Sequence, residues 1–293
     1  MLSSTAFWMC FAGLASLVTG VFVYRKEISA ARGWNKFIAF GCVFFAASLA
    51  AFAPEHFYGG PEYIQNMAPT WMPVRSFWPY FVGCALLAGA TSLTVGKLVR
   101  WSSVLLGLMF FLFVCMIYLP SLLSHLDNRL AWILTLRDLS FAAGAWALAG
   151  VHSRSFWPRL SKGMIRFGRI VIAIAAIFFA IQHFLHPEFA PGVPLLKATP
   201  DWVPLRLFWG YFTGAILLVA GTALLINKKA RMAAVSIGLL MAILTLLLYV
   251  PILAMAATSP QILEGINYVA DTLLFAGAAL LVAGALPEGA PSV

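Results

Sequence analysis

Charge is scarce in this chain. Only 10% of its 293 residues are Asp, Glu, Lys or Arg, whereas 62% are hydrophobic and the mean hydropathy is +0.92. A water-soluble domain of this length could not cover so much apolar surface with so few charges. The signatures of soluble catalysis are missing as well. There is no Walker loop, no G-x-G-x-x-G, no H-E-x-x-H and no G-x-S-x-G, so the residues that cradle phosphates, hold a hydrolytic zinc or carry a serine nucleophile are absent in those arrangements. The four cysteines, Cys10, Cys42, Cys84 and Cys115, stand alone inside apolar segments with no C-x-x-C spacing. They read as small hydrophobes rather than as disulfide or metal partners. No intrinsic cofactor site and no metal site is therefore expected.

What the chain does have is long apolar runs. A bilayer-spanning helix needs roughly 20 mainly apolar residues, and such runs recur near 5–24, 37–53, 77–95, 102–120, 132–151, 167–186, 208–226, 233–251 and 266–285. The short alternating strands of an outer-membrane barrel are not seen. The expected fold is an all-α polytopic membrane helix bundle of about nine transmembrane helices, with the lipid bilayer as its surroundings. The net charge of +9 does not point to nucleic acid, because the basic residues cluster in short connections between apolar runs. Fourteen Lys and Arg fall on one side of the nine spans and five on the other, which makes the richer side cytoplasmic. The reading is a multi-pass protein of the cytoplasmic (inner) membrane, N-terminus outside and the tail LPEGAPSV inside. The first run lacks a positive region before it, and Arg25-Lys26 follow it, so it reads as a retained anchor rather than a cleaved signal.

The chain also repeats itself. TWMPVRSFWPYFVG (70–83) returns 131 residues later as DWVPLRLFWGYFTG (201–214), with eight of fourteen positions identical. Glu55-His56-Phe57 matches Gln182-His183-Phe184, and Tyr118-Leu119-Pro120 matches Tyr249-Val250-Pro251. Arg137-Asp138 before FAAGA has a looser counterpart in Asp271 before FAGAA. Two four-helix units emerge. Each has an even number of spans, so both point the same way, as parallel repeats do. Both Trp-Pro-Arg elements then lie on the outer side.

A His at a helix end, a Pro-rich loop, W-x-P-x-R-x-x-W-x-Y-x-x-G entering the next helix and a later Tyr-x-Pro resemble the DoxX-like superfamily of membrane proteins. Its members are four-helix units, so the resemblance implies an N-terminal helix at 1–30, a first unit at 31–152 and a second at 153–293. The duplication and the extra helix depart from the single unit. For some relatives the resemblance implies redox or quinone-linked systems, hence a quinone or other lipophilic ligand and a redox partner protein.

Several residues could carry chemistry. Arg75 and Arg206 begin spans just after a proline. They serve either as interfacial anchors, with aromatic neighbours at headgroup depth, or as planar donor forks for an anionic or carbonyl group. His56 and His183 sit at equivalent helix ends, with His186 one turn beyond His183 and Gly59 at its place in the first unit. Helix–loop hydrogen bonding, metal or haem ligation, and proton exchange with a carbonyl ligand are the three readings. Asp138 and Asp271 are carboxylates inside spans, where ionisable groups turn inward and pair. The expected pairs are Asp138 with Arg75 and Asp271 with Arg206, because neighbouring helical residues such as Arg137 and Asp138 diverge in direction. Glu55, Glu62 and Glu188 read as solvated loop charges.

Three functions follow. The first is a redox-associated component binding a quinone near the outer face, with His56 and His183 as hydrogen-bonding groups, Arg75 and Arg206 orienting the ligand, and Trp71 and Trp202 as walls. The second is a small-solute transporter or carrier. The third is an assembly or integrity protein without small-molecule chemistry.

Overall fold

The computed structural model describes residues 3–58, 68–193 and 196–288. Glu62 and Gly59 lie outside the described residues. Among the described residues there are nine long helices: α1 (Ser4–Val23), α2 (Asn35–Tyr58), α3 (Phe77–Val95), α4 (Val99–Ser124), α5 (Arg129–His152), α6 (Pro158–Leu185), α7 (Arg206–Leu225), α8 (Ala230–Ala254) and α9 (Ser259–Ala285). Eight of them are long and apolar enough to cross a membrane. The ninth, α5, has the length, 24 residues, but carries Arg129, Arg137 and Asp138, and so falls below the others in apolarity. The all-α polytopic bundle expected from composition is what the chain forms.

Local chemistry sets the helix ends. Asn128 Oδ1 accepts from the backbone N–H groups of Leu130 and Ala131 at 2.9 and 3.3 Å and so starts α5. Thr258 and Gln261 form a capping box at the start of α9, with Pro260 inside the first turn. Both devices satisfy backbone donors that have no partner within the helix. Gly96 ends α3 in the left-handed region at φ 69°.

Each helix packs on the next, from α2 to α9, and α9 closes the circuit on α2. Across the middle, α5 packs on α9. The first helix of each expected unit therefore lies against the last helix of the other, α2 on α9 and α6 on α5. Helix α1 leans on α2 from outside and leaves Phe7, Phe11, Leu14, Val18 and Phe22 exposed. Helix α9 is the most enclosed, with 83% of its apolar window buried.

Small residues make the central crossing. A Cβ added at Gly144 of α5 would lie 2.5 Å from the Cβ of Ala278 on α9, and, where α9 meets α2, one at Gly277 would lie 2.7 Å from the backbone nitrogen of Phe45. Backbones approach this closely only where side chains are absent, the usual device for packing helices within lipid.

Candidate functional site

The repeated Trp-Pro-Arg element is a turn that closes on itself. Val74 and Leu205 both take positive φ, 48° and 52°, a region that non-glycine residues seldom enter. In each copy an indole holds the turn: Trp78 Nε1 donates to the Pro73 carbonyl and Trp209 Nε1 to the Pro204 carbonyl, both at 3.0 Å. Arg75 Nη2 donates to the Ala68 carbonyl at 2.9 Å, and Arg206 is ion-paired with Asp201. Each arginine thus contacts its own loop. Trp71 and Trp202 are exposed, at 68% and 42%. The tryptophans with a defined structural task are Trp78 and Trp209, which the sequence reading did not single out. Their identity in both copies, five residues after the proline they cap, was the available signal.

The histidines join helix ends to loops. His56 Nδ1 lies 3.1 Å from the Phe52 carbonyl, and His183 Nδ1 lies 2.6 Å from the Phe179 carbonyl. His183 Nε2 also accepts the Gly192 backbone N–H at 2.9 Å. Both ring nitrogens of His183 are therefore engaged within the chain, Nδ1 as donor and Nε2 as acceptor. His186 turns instead toward Glu188, 3.4 Å away at the surface. Among the described residues, no three His, Cys, Asp or Glu side chains are grouped to hold a metal.

The expected aspartate pairs are replaced by a different arrangement. Arg137 Nε donates to Asp138 Oδ1 at 2.9 Å, and its Nη1 donates to Asp271 Oδ2 at 2.8 Å. One guanidinium bridges two buried carboxylates, on α5 and on α9. Arg75 and Arg206 are too far out to serve: they belong to turns at helix starts, whereas Asp271 lies twelve residues into α9, about 18 Å along its axis. Adjacent helical residues do diverge in direction. The flexible stem of arginine, however, folds its planar fork back across its own helix, and the two nitrogens reach separate acceptors.

Two tyrosines border this charged layer. Tyr118 lies beside Asp138, and Tyr249 lies beside Thr272, next to Asp271. Tyr249 also donates to the Pro191 carbonyl at 2.9 Å. Each tyrosine ends a π-helical turn, Val114–Tyr118 in α4 and Thr245–Tyr249 in α8. A proline follows two residues later in both, Pro120 and Pro251. Proline lacks an N–H for the i−4 carbonyl and its ring crowds that carbonyl, so a widened turn accommodates it.

A set of polar groups lies on α9 between the layer and the start of that helix. Lys197 Nζ lies 2.9 Å from Glu264, and the Tyr268 hydroxyl donates to Glu264 at 2.7 Å. The Tyr268 ring stands 5.9 Å from that of Tyr249. Glu264, Tyr268 and Asp271 fall on one face of α9, at i, i+4 and i+7. Glu55 is not a free loop charge: it is half-buried at the end of α2 and accepts from Asn267 Nδ2 of α9 at 3.3 Å. Glu188, by contrast, is exposed as expected. Arg129 of α5 donates to Gln182 of α6 at 2.7 Å. No protein-family model matches this chain, and no curated protein or solved structure shows significant similarity to it.

Proposed function

We propose that this is a membrane protein of the DoxX-like type, built from two tandem four-helix units, and that its working centre is the layer of Tyr118, Arg137, Asp138 and Asp271. The reading is a redox-associated component that binds a quinone or a similar lipophilic molecule with carbonyl or hydroxyl oxygens, its electrons exchanged with a partner protein. One observation carries it: a guanidinium, two carboxylates and a phenol meet where the last helices of the two units cross. Ionisable groups kept inside a membrane bundle are costly and mark functional sites by default. Arginine and tyrosine supply donors for a carbonyl oxygen, and the carboxylates accept from a hydroxyl. Glu264 and Tyr268, hydrogen-bonded to each other, lie on α9 between the layer and the start of that helix. The duplication is supported by the paired π-turns, the paired positive-φ residues and the two indole-capped prolines, each at the 131-residue offset.

This places the working groups further in than the outer rim suggested by His56, His183, Trp71, Trp202, Arg75 and Arg206. The engaged nitrogens of His183 favour a holding role for that rim. The test is purification in lipid nanodiscs, mass analysis of retained small molecules, and titration with a short-chain benzoquinone. Tyr118→Phe should weaken that binding about tenfold, the worth of one hydrogen bond to a charged or strongly polar network. Equal affinity in the wild type and Tyr118→Phe, or no binding in either, would remove the quinone reading.

A second reading, a small-solute carrier, is favoured by the π-turns themselves. Interrupted helices at corresponding places in two repeats are the best pointer to a transporter's binding site. Substrate-dependent flux in liposomes, abolished by Asp138→Asn with no benzoquinone binding, would select it.

A further inference from the structure

The end of the bundle where basic residues concentrate holds a groove of about 500 Å³. It runs between the first turns of α6 and the last turns of α7 and α9. Four cationic side chains line it, Arg154, Lys162, Arg166 and Arg169, and among the described residues no carboxylate does. Lys162, Arg166 and Arg169 are spaced i, i+4 and i+7, so they project from one face of α6.

Two of the four are committed to the scaffold. Arg154 Nη2 donates to the Ala285 carbonyl at 3.0 Å, and Arg169 Nη1 donates to the Leu224 and Leu225 carbonyls at 2.7 and 2.8 Å. They satisfy the last carbonyls of α9 and α7, which have no partner within their helices. Lys162 and Arg166 are exposed at the same groove. Its floor is apolar, with Ile165 and Leu286 among the lining residues.

We infer that this groove seats the phosphate head group of an anionic phospholipid, gripped by Lys162 and Arg166 against the inner wall of Arg154 and Arg169. Charge complementarity requires an anion where four cations share one cleft without a carboxylate. A free phosphate would satisfy the cations but leave the apolar floor unused, whereas the glycerol and first methylenes of a lipid cover it. Orienting a membrane protein needs basic residues near the surface. It does not need them to line a common groove with an apolar floor, which is how lipid head groups are held between helices.

The experiment uses the full chain in detergent micelles, titrated with a short-chain phosphatidylglycerol and in parallel with a phosphatidylethanolamine, with retained lipid counted by native mass spectrometry. Phosphatidylglycerol should bind about tenfold more tightly. K162Q/R166Q should reduce that preference to about twofold or less. K26Q/K97Q, which removes two exposed lysines from other connections rich in basic residues, should leave it in place. Equal binding of the two lipids to the wild type, or equal losses in both double variants, would overturn the assignment. Inorganic phosphate provides the third arm. If it displaces phosphatidylglycerol completely at millimolar concentration, the groove is a site for free anions and the lipid assignment falls. Melting curves without lipid report whether each variant is folded, and Arg166→Gln alone replaces the double variant if that one is not.

Discussion

Arg137 holds two carboxylates with one guanidinium, and the three charged members of the layer are therefore unequal. Removing Arg137 leaves Asp138 and Asp271 buried together without a cation. Breaking a buried ionic cluster in this way costs about 3–5 kcal/mol. Converting Asp271 to asparagine keeps the Arg137–Asp138 contact and removes only one charged acceptor, for roughly 1–2 kcal/mol. Unfolding of the purified protein in mixed micelles should accordingly rank Arg137→Ala well below Asp271→Asn. Asp271→Asn should also lessen the damage of Arg137→Ala when the two are combined, because one of the stranded charges is gone. Arg75→Ala should show no such coupling to Asp138→Asn, since the Arg75 guanidinium reaches the Ala68 carbonyl of its own loop. A coupling for Arg75 as large as that for Arg137 would contradict the bridged layer.

The two π-turns belong to the scale of the element, and their cause is local. Pro120 and Pro251 each follow the turn that places Tyr118 or Tyr249 beside the buried layer. Pro120→Ala restores the missing donor and relieves the crowded carbonyl, so α4 should recover α-helical register there. Loss of one extra residue per turn rotates Tyr118 away from Asp138. In the parent protein Tyr118→Phe removes the phenol beside the Asp138 carboxylate and should destabilise by about 1 kcal/mol. In the Pro120→Ala background the same change should have less than about a third of that effect. An undiminished effect would mean that proline does not set the turn. The elements themselves were legible in the sequence, because runs of apolar residues this long admit only helices in a bilayer. The repeat of Tyr-x-Pro marked where something recurs. Its π geometry was not legible, since a helix can meet a proline with a kink as well as with a widened turn. The partners of Asp138 and Asp271 were missed for a different reason. Sequence spacing describes where a Cβ points, and a long arginine side chain is not bound by that direction.

At the scale of the whole molecule, the circuit of helices brings α5 and α9, the last helices of the two proposed units, face to face. With Phe141 matched to Phe275, the register of FAAGA and FAGAA, Arg137 falls opposite Asp271 and Gly144 opposite Ala278. The structure pairs these same positions, the first through a 2.8 Å ion pair and the second through close backbone packing. Residues at equivalent places in two units meet each other only near an axis relating those units. Two identical units meeting there would oppose arginine to arginine or aspartate to aspartate. Complementary charges instead favour joining the first unit to the second, and like charges disfavour the alternatives. Exchanging the charges tests this directly. Arg137→Asp alone crowds three carboxylates, and Asp271→Arg alone crowds two guanidinium groups against Asp138. The double variant R137D/D271R restores one cation between two carboxylates, now offered from α9. It should be more stable than the sum of the single changes by about 2 kcal/mol or more, within the range measured for residues in contact. Additive losses would mean that the pair does not join the units, and that small-residue packing between α5 and α9 is sufficient to hold them together.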